Sequence, residues 1–304
     1  MLAPQARGQR YDSNSDSTRL RQDLKGRKTL RTKILSVAAV CFIFPMAVAL
    51  AQQTPSASPV PAATETQANC TGFITTNVPT DVTVIDGANN DLEEAYRQFG
   101  VNELIYLQRH NGNFSVGEEY FIVRPAKLPF RTTRYEGEQW AIHKLGEPYE
   151  DVGRAKVTIV TPKGAVAEVS FACGPISRGD IALPYQPRPI PEYTPTELDR
   201  FPLPNDKIHG SITAAQNNFD SVALGDIVYL DIGAKQGAQV GQRYRVYYVP
   251  AAAALGRRTW LGYPDMPRET VGEIVVLSTQ EKSAAAIIVS CTRDISLGYG
   301  VELE

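Results

Sequence analysis

Histidine, tryptophan and cysteine are scarce in this chain of 304 residues, with three His, two Trp and four Cys. His110, His143 and His209 are isolated from one another and from every cysteine, with no H-E-x-x-H and no pair at helical spacing. No C-x-x-C is present, which removes the usual redox and zinc patterns. A G-x-S-x-G elbow, a P-loop and an S-x-x-K are also missing, so neither an activated serine nor a phosphate cradle can be read from the residues. The adjacent carboxylates Glu93-Glu94 and Glu118-Glu119 point to different faces and make no paired-carboxylate site. The sequence thus offers no catalytic residue, no metal ligand and no cofactor site.

Charge of one sign is lacking as well, since the formal net charge is −2. That balance hides an asymmetry: residues 1–33 hold nine Lys/Arg and three Asp/Glu, leaving 22 basic and 30 acidic side chains, about −8, in the rest. Phosphate binding needs clustered positive charge, so nucleic acid is not expected as a partner of the folded part. With 43% hydrophobic and 21% charged residues, the composition is that of a globular protein with room for two modules.

Residues 25–33 are basic, residues 34–50 are apolar, and Ala49-Leu50-Ala51 supplies small residues at positions one and three. This order predicts a secretory signal within residues 1–51, cleaved after Ala51; left uncleaved, it would tether the protein to a membrane. Residues 52–69 are Pro, Ser, Thr and Ala with almost no large apolar side chain, which predicts a disordered tether.

From Cys70 onward the chain repeats itself. Gly72-Phe73-Ile74 is answered by Gly210-Ser211-Ile212, and Leu104-Ile105-Tyr106-Leu107 by Ile227-Val228-Tyr229-Leu230. Val116-Gly117-Glu118-Glu119-Tyr120 is answered by Val240-Gly241-Gln242-Arg243-Tyr244. Each copy then passes Pro125 or Pro250, a long loop with Trp140 or Trp260, Val-Gly at 152–153 or 271–272, a cysteine (Cys173, Cys291) and Ile-Ser at 176–177 or 295–296. The runs between are short and rich in Val, Ile and aromatics, as strands are. The fold expected is mainly β: two small, partly closed barrel-like modules in tandem at 70–183 and 208–304. Seven prolines between 184 and 204 predict a semi-rigid linker over residues 184–207. One short helix is expected in the first copy, capped by Asn90 with Glu93 three residues on, and carrying Leu92, Ala95, Tyr96 and Phe99 on one face.

Three cysteines remain beyond the signal segment and allow three single bridges. First and last strands of a small barrel can be neighbours, which favours Cys70–Cys173, with Cys291 a buried thiol facing Ile208. The two long loops hold the candidate binding residues: Arg131, Arg134, Tyr135, Trp140 and Tyr149 in the first, and Arg257, Arg258, Trp260 and Tyr263 in the second. Trp, Tyr and Arg concentrate binding energy at interfaces. Alternatively the two tryptophans cap open barrel ends, and exposure separates the two readings.

The second copy, from Gly225-Asp226-Ile227-Val228-Tyr229-Leu230 through Val240-Gly241-Gln242-Arg243-Tyr244, Val271-Gly272-Glu273-Ile274-Val275-Val276-Leu277 and Leu297-Gly298, resembles a β-module of bacterial envelope proteins. That module occurs downstream of peptidoglycan-binding LysM domains and is similar to the C-terminal domain of flagellar assembly protein T. The match covers residues 225–304 and, more weakly, 102–182. The resemblance implies a noncatalytic role at the cell wall or outer membrane, in scaffolding or assembly; the overall reading is an exported protein of the periplasm or outer envelope that binds an envelope protein or peptidoglycan. Two departures limit the resemblance: no LysM motif is present, so wall binding is not carried over, and nothing specifically flagellar is found; the first copy also has Gln108-Arg109-His110 where the second has the acidic Asp231. The alternatives are a secreted hydrolase of wall polymer using His143 with a carboxylate, and a periplasmic small-ligand carrier using a barrel mouth.

Overall fold

The computed structural model describes residues 58–78, 80–85, 97–126, 135–249 and 267–304. The chain enters through a two-residue strand β1 (Val60–Pro61), a short helix α1 (Glu65–Asn69) and strand β2 (Phe73–Thr75). The first module follows as β3 (Val82–Ile85), β4 (Gln98–Phe99), β5 (Leu104–Arg109), β6 (Glu119–Pro125), helix α2 (Glu138–Leu145), β7 (Glu147–Thr161), β8 (Gly164–Ala172), β9 (Ile176–Ser177) and β10 (Ile181–Pro184). After β11 (Glu192–Tyr193), the second module runs through β12 (His209–Ala215), β13 (Ser221–Val222), β14 (Ile227–Leu230), β15 (Arg243–Tyr248), β16 (Glu269–Thr279), β17 (Ala284–Cys291), β18 (Ile295–Ser296) and β19 (Gly300–Leu303).

Each module closes into a six-stranded antiparallel barrel, so the partly closed form expected from sequence is fully closed. The first has the order β7-β6-β10-β3-β5-β8, with β8 pairing back to β7; the second has β16-β15-β19-β12-β14-β17, closed on β16. Strand for strand the two orders are the same, and the small pairs β4–β9 and β13–β18 occupy matching places. Even the register shifts coincide. Those in β7–β8 fall at Arg154/Ala155 and Val157/Ile159, those in β16–β17 at Glu273/Ile274 and Val276/Ser278. Gly153 and Gly272 are needed where the strands cross closely. A Cβ there would lie 2.7 Å from the Phe171 carbonyl oxygen or 2.5 Å from that of Ser290. The Val-Gly-x-x-Tyr turns place Gly117 and Gly241 at φ 92 and 86, which L side chains rarely adopt.

The barrel interiors are filled with side chains. In the first, β5 alternates, with Ile105 and Leu107 inward and Leu104 and Tyr106 outward. Ile122, Val169 and Tyr120 complete that core. In the second, Tyr244, Leu230, Ile212, Ile274 and Ile288 are fully buried. Both tyrosines meet a side-chain acceptor two residues earlier: Tyr120 Oη donates to Glu118 Oε2 at 2.5 Å, Tyr244 Oη to Gln242 Oε1 at 2.9 Å.

Strands β14, β16 and β17 are buried on both faces, because the outer wall of the second barrel is also covered. Ile227, Tyr229, Val275, Leu277, Ala285 and Ile287 of that wall pack against Ala62, Ala63, Ile74, Ile142 and Leu145. Hydrogen bonds fasten the cover: Tyr229 Oη donates to the Thr71 carbonyl at 2.8 Å, and Ser283 Oγ to the Ile74 carbonyl at 2.6 Å. Near-continuous apolar runs are what strands covered on both faces require.

Several expectations need correction. Residues 58–69 are not a tether: α1 carries a capping box between Thr64 and Gln67, and Ala62, Ala63 and Ala68 are buried. Small side chains suffice there because the barrel wall supplies the bulk. The linker at 184–207 is not a spacer between separate bodies. Within it β11 pairs with β1, Arg188 bonds Asp151, and the Thr194 carbonyl accepts from Arg243 at 2.7 Å. Gly72-Phe73-Ile74 does not correspond to Gly210-Ser211-Ile212; the latter lies in β12, whose counterpart is β3, while β2 is an addition beside β7. Phe99, placed in the expected helix, is instead buried in β4; residues 90–96 lie outside the described residues, as does the signal segment 1–51.

The Cys70–Cys173 disulfide is present, with Cα atoms 5.7 Å apart. Its geometry follows from β7. Strand β8 runs along one edge of β7 as far as Gly153, and β2 continues that edge at Tyr149, so the two cysteines meet at the junction. Cys291 is the counterpart of Ala172, since these two face Gly272 and Gly153, and Thr292 is the counterpart of Cys173. The cysteines of the two copies are offset by one residue. Cys291 is a free, half-buried thiol and not a fully buried one.

Candidate functional site

Of the loop residues marked in the sequence, Tyr135, Trp140 and Tyr149 are described; Arg131, Arg134, Arg257, Arg258, Trp260 and Tyr263 lie outside the described residues. The first loop is less irregular than expected, because it contains α2 and the start of β7. Helix α2 buries Ile142 and Leu145 against the second barrel and ends at Gly146, packed on the Thr75 backbone. Trp140 points the other way. It is 69% exposed, with Lys144 Nζ 5.3 Å from its ring centroid, so it caps no barrel end. The two tyrosines are parts of the docking. Tyr135 Oη donates to the Thr213 carbonyl at 3.0 Å and its ring lies over Gly298, while Tyr149 stacks on Phe73 with centroids 5.5 Å apart. Burial, and then the charge of Glu147, push the Tyr149 hydroxyl above its ordinary pKa.

A groove of about 380 Å³ opens where β2, β6, the start of the linker and the β16–β17 turn converge. Phe73, Phe121, Leu183 and Leu277 give it apolar walls; Thr75, Asn77, Gln186, Ser278 and Gln280 supply polar groups. Arg188 is its fixed cation. Its guanidinium lies 4.3 Å from the Phe121 centroid and grips both oxygens of Asp151, with Nη2 to Oδ1 at 2.9 Å. Asp151 Oδ2 also accepts from Gly72 N at 2.8 Å, and Arg188 Nη1 donates to Thr71 Oγ1 at 3.0 Å. One carboxylate thus ties β7, the entry to β2 and the linker together. No pattern in the sequence pointed to Arg188 or Asp151, because their contact spans 37 residues and two elements. A mixed apolar and polar groove between two modules is where ligands are commonly held.

A perturbed carboxylate lies elsewhere. Glu273 is 2% exposed and its pKa is raised to about 7, chiefly by burial and next by the nearby Glu304 carboxylate, against the opposing pull of Arg243. Thr196 Oγ1 donates to Glu273 Oε1 at 3.2 Å, and Arg243 bonds Glu304, the Thr194 carbonyl and Thr196. These groups clasp the linker onto the second barrel, and Glu273 is closed off from solvent beneath it. His143 is exposed on α2 and pairs with no carboxylate among the described residues. Among the described residues no three His, Cys, Asp or Glu side chains group as a metal site.

What the arrangement can do is present surfaces: a projecting tryptophan on a docked helix, and a groove with one immobilised arginine. Neither a scan against protein-family models nor a search of the curated proteins gives a match to this chain.

Proposed function

We propose that the protein is a noncatalytic, exported component of a bacterial envelope that scaffolds or assembles by holding a partner, an envelope protein or peptidoglycan, against Trp140 and the inter-barrel groove. The observation that carries this reading is Trp140. That side chain is left 69% in water on a helix whose opposite face is docked, where it is free to meet a partner, and tryptophan is among the residues that concentrate binding energy at interfaces. Export is supported by the disulfide, a bond that persists in oxidising compartments, and by the basic-apolar-small order of residues 25–51. The likeness of residues 225–304 to modules found downstream of LysM domains favours the envelope, and the filled barrel interiors disfavour the carrier alternative.

The test is to cross-link the tagged protein in its native envelope and identify what is recovered, in parallel with Trp140→Ala. A fixed set of proteins or peptidoglycan fragments, lost or much reduced in the variant, supports the reading. Recovery unchanged by Trp140→Ala removes this residue from the contact surface, and recovery of no partner rejects the binding role.

A further inference from the structure

Matching the two barrels sets a covered wall against an open one. On the second barrel, Ile227, Tyr229, Ala285 and Ile287 form adjoining rows across β14 and β17, continued on β16 by Val275 and Ser278. The same rows on the first barrel are Leu104 and Tyr106 on β5, Glu168 and Val166 on β8, and Lys156 and Ile159 on β7. Their environments are opposite. Ile227 is 4% and Tyr229 7% exposed beneath residues 62–74 and α2, whereas Leu104 is 49%, Tyr106 42% and Ile159 55% exposed.

Tyr106, Val166 and Ile159 share one row across three strands, with Leu104 two residues along β5, and such an adjoining outward-facing apolar set can mark an interaction surface. Leu104, Tyr106 and Val166 match the apolar Ile227, Tyr229 and Ala285, Ile159 stands where the second barrel has the half-buried Ser278, and two positions are charged: Val275 is matched by Lys156 and Ile287 by Glu168. Lys156 has an ion-pair partner in Glu119 at 3.5 Å; Glu168 has none among the described residues. Three side chains each about half exposed, Leu104 at 49%, Tyr106 at 42% and Ile159 at 55%, fall well short of the roughly 800 Å² per partner that a stable dimer buries. A second copy of this chain is therefore a poor fit, and a segment is a better one. The covered wall shows what kind: Ala62, Ala63, Ile74, Ile142 and Leu145 are aliphatic side chains from an extended stretch and a short helix.

We infer that the open wall of the first barrel, centred on Tyr106 and Ile159, is a docking site for a short segment of a partner protein, bearing aliphatic side chains and a Lys or Arg that meets Glu168. The inference rests on the binding role proposed above, but on a surface separate from Trp140. An interface with an apolar centre and charged edges forms and dissociates, unlike the permanent cover on the second barrel.

The probe is a displayed library of 16-residue peptides, panned on the intact exported chain and counter-selected on Ile159→Glu. Enrichment of aliphatic sequences with a basic residue, bound at least tenfold more weakly by Ile159→Glu and by Glu168→Lys and equally by Trp140→Ala, is the expected result. Both altered residues are exposed, and an unchanged thermal midpoint confirms that each variant is folded. Absence of enrichment, or binding indifferent to both substitutions, overturns the inference. So does sedimentation showing a dimer that Ile159→Glu dissolves, which would make the occupant a second copy. Partner capture in the envelope that survives Ile159→Glu but not Trp140→Ala rejects this wall while leaving the proposed function standing.

Discussion

Replacing Asp151 with Ala removes the hub between the first barrel, β2 and the linker. Its side chain is fully buried, its two oxygens hold the Arg188 guanidinium, and Oδ2 also satisfies Gly72 N–H at 2.8 Å. Truncation leaves a guanidinium that is 17% exposed without its counter-charge and an amide without its acceptor. Breaking a buried ion pair by removing one partner costs about 3–5 kcal/mol, and the orphaned amide alone costs about 1–3 kcal/mol; the two overlap, so about 3–5 kcal/mol is expected in total. Arg188→Met keeps a side chain over Phe121 but strands the carboxylate, and should cost a similar amount. The double variant Asp151→Ala/Arg188→Met should then be less destabilised than the sum of the two, by at least 1 kcal/mol or so, because the second change removes the group that the first left unpaired. Urea unfolding at pH 7, followed by fluorescence and circular dichroism, measures all three. A loss under about 1 kcal/mol for Asp151→Ala, or strict additivity, would refute the hub, given that most surface pairs yield no more than that.

Four further outcomes are expected. Reduction of Cys70–Cys173, which closes a loop with a sequence separation of 103, should lower stability by up to about 4.7 kcal/mol in the chain-entropy model; unchanged urea midpoints with and without reductant would contradict it. Burial raises the Glu273 pKa to about 7, so folding favours its protonated form; that contribution is complete below the ordinary carboxylate value of 4.5 and is lost as pH rises through 7. Glu273→Gln should flatten the decline in stability across that window and leave the variant more stable than wild type at pH 8, and a slope identical in both proteins would assign the decline to other groups. Gly272→Ala forces a Cβ to within 2.5 Å of the Ser290 carbonyl and should cost about 1–3 kcal/mol by thermal melting, as should Gly153→Ala at the matching place. Trp140→Ala should change stability by no more than about 0.5 kcal/mol, because that side chain is not part of the α2 docking face; a larger loss would make it structural.

How much of this was legible in the sequence depended on how local each feature is. Val-Gly-x-x-Tyr is a local turn, so it located β6 and β15 and the closely matched aromatics Tyr120 and Tyr244. The Cys70–Cys173 pairing was named from the sequence, but its cause was not: Cys70 precedes β2, an addition outside the barrel, and meets Cys173 where β2 takes over from β8 along β7. Matching Cys173 to Cys291 failed because register is decided by hydrogen bonds, which set Cys291 opposite Gly272 and leave Thr292 in the place of Cys173. Residues 58–69 were misread because a tether and a cover made of alanines look alike until the wall they lie on is known. The same limit hid the groove, whose lining runs from Phe73 to Gln280, and the Asp151–Arg188 contact within it. Of the loop residues, exposure separates Trp140 from Tyr135 and Tyr149, and exposure is a property of the packed body and not of residue type.

The most direct test compares Tyr106 with Tyr229, which occupy the same place in the two barrels. Hydroxyl-radical footprinting of the purified protein should modify Tyr106, 42% exposed, and spare Tyr229, 7% exposed. Repeated on the protein in the envelope compartment proposed for it, the expected result is protection of Tyr106, Ile159 and Trp140 to near the level of Tyr229. Modification of all three at the rate seen in the purified protein would mean that these surfaces meet no partner there, and would contradict the binding role.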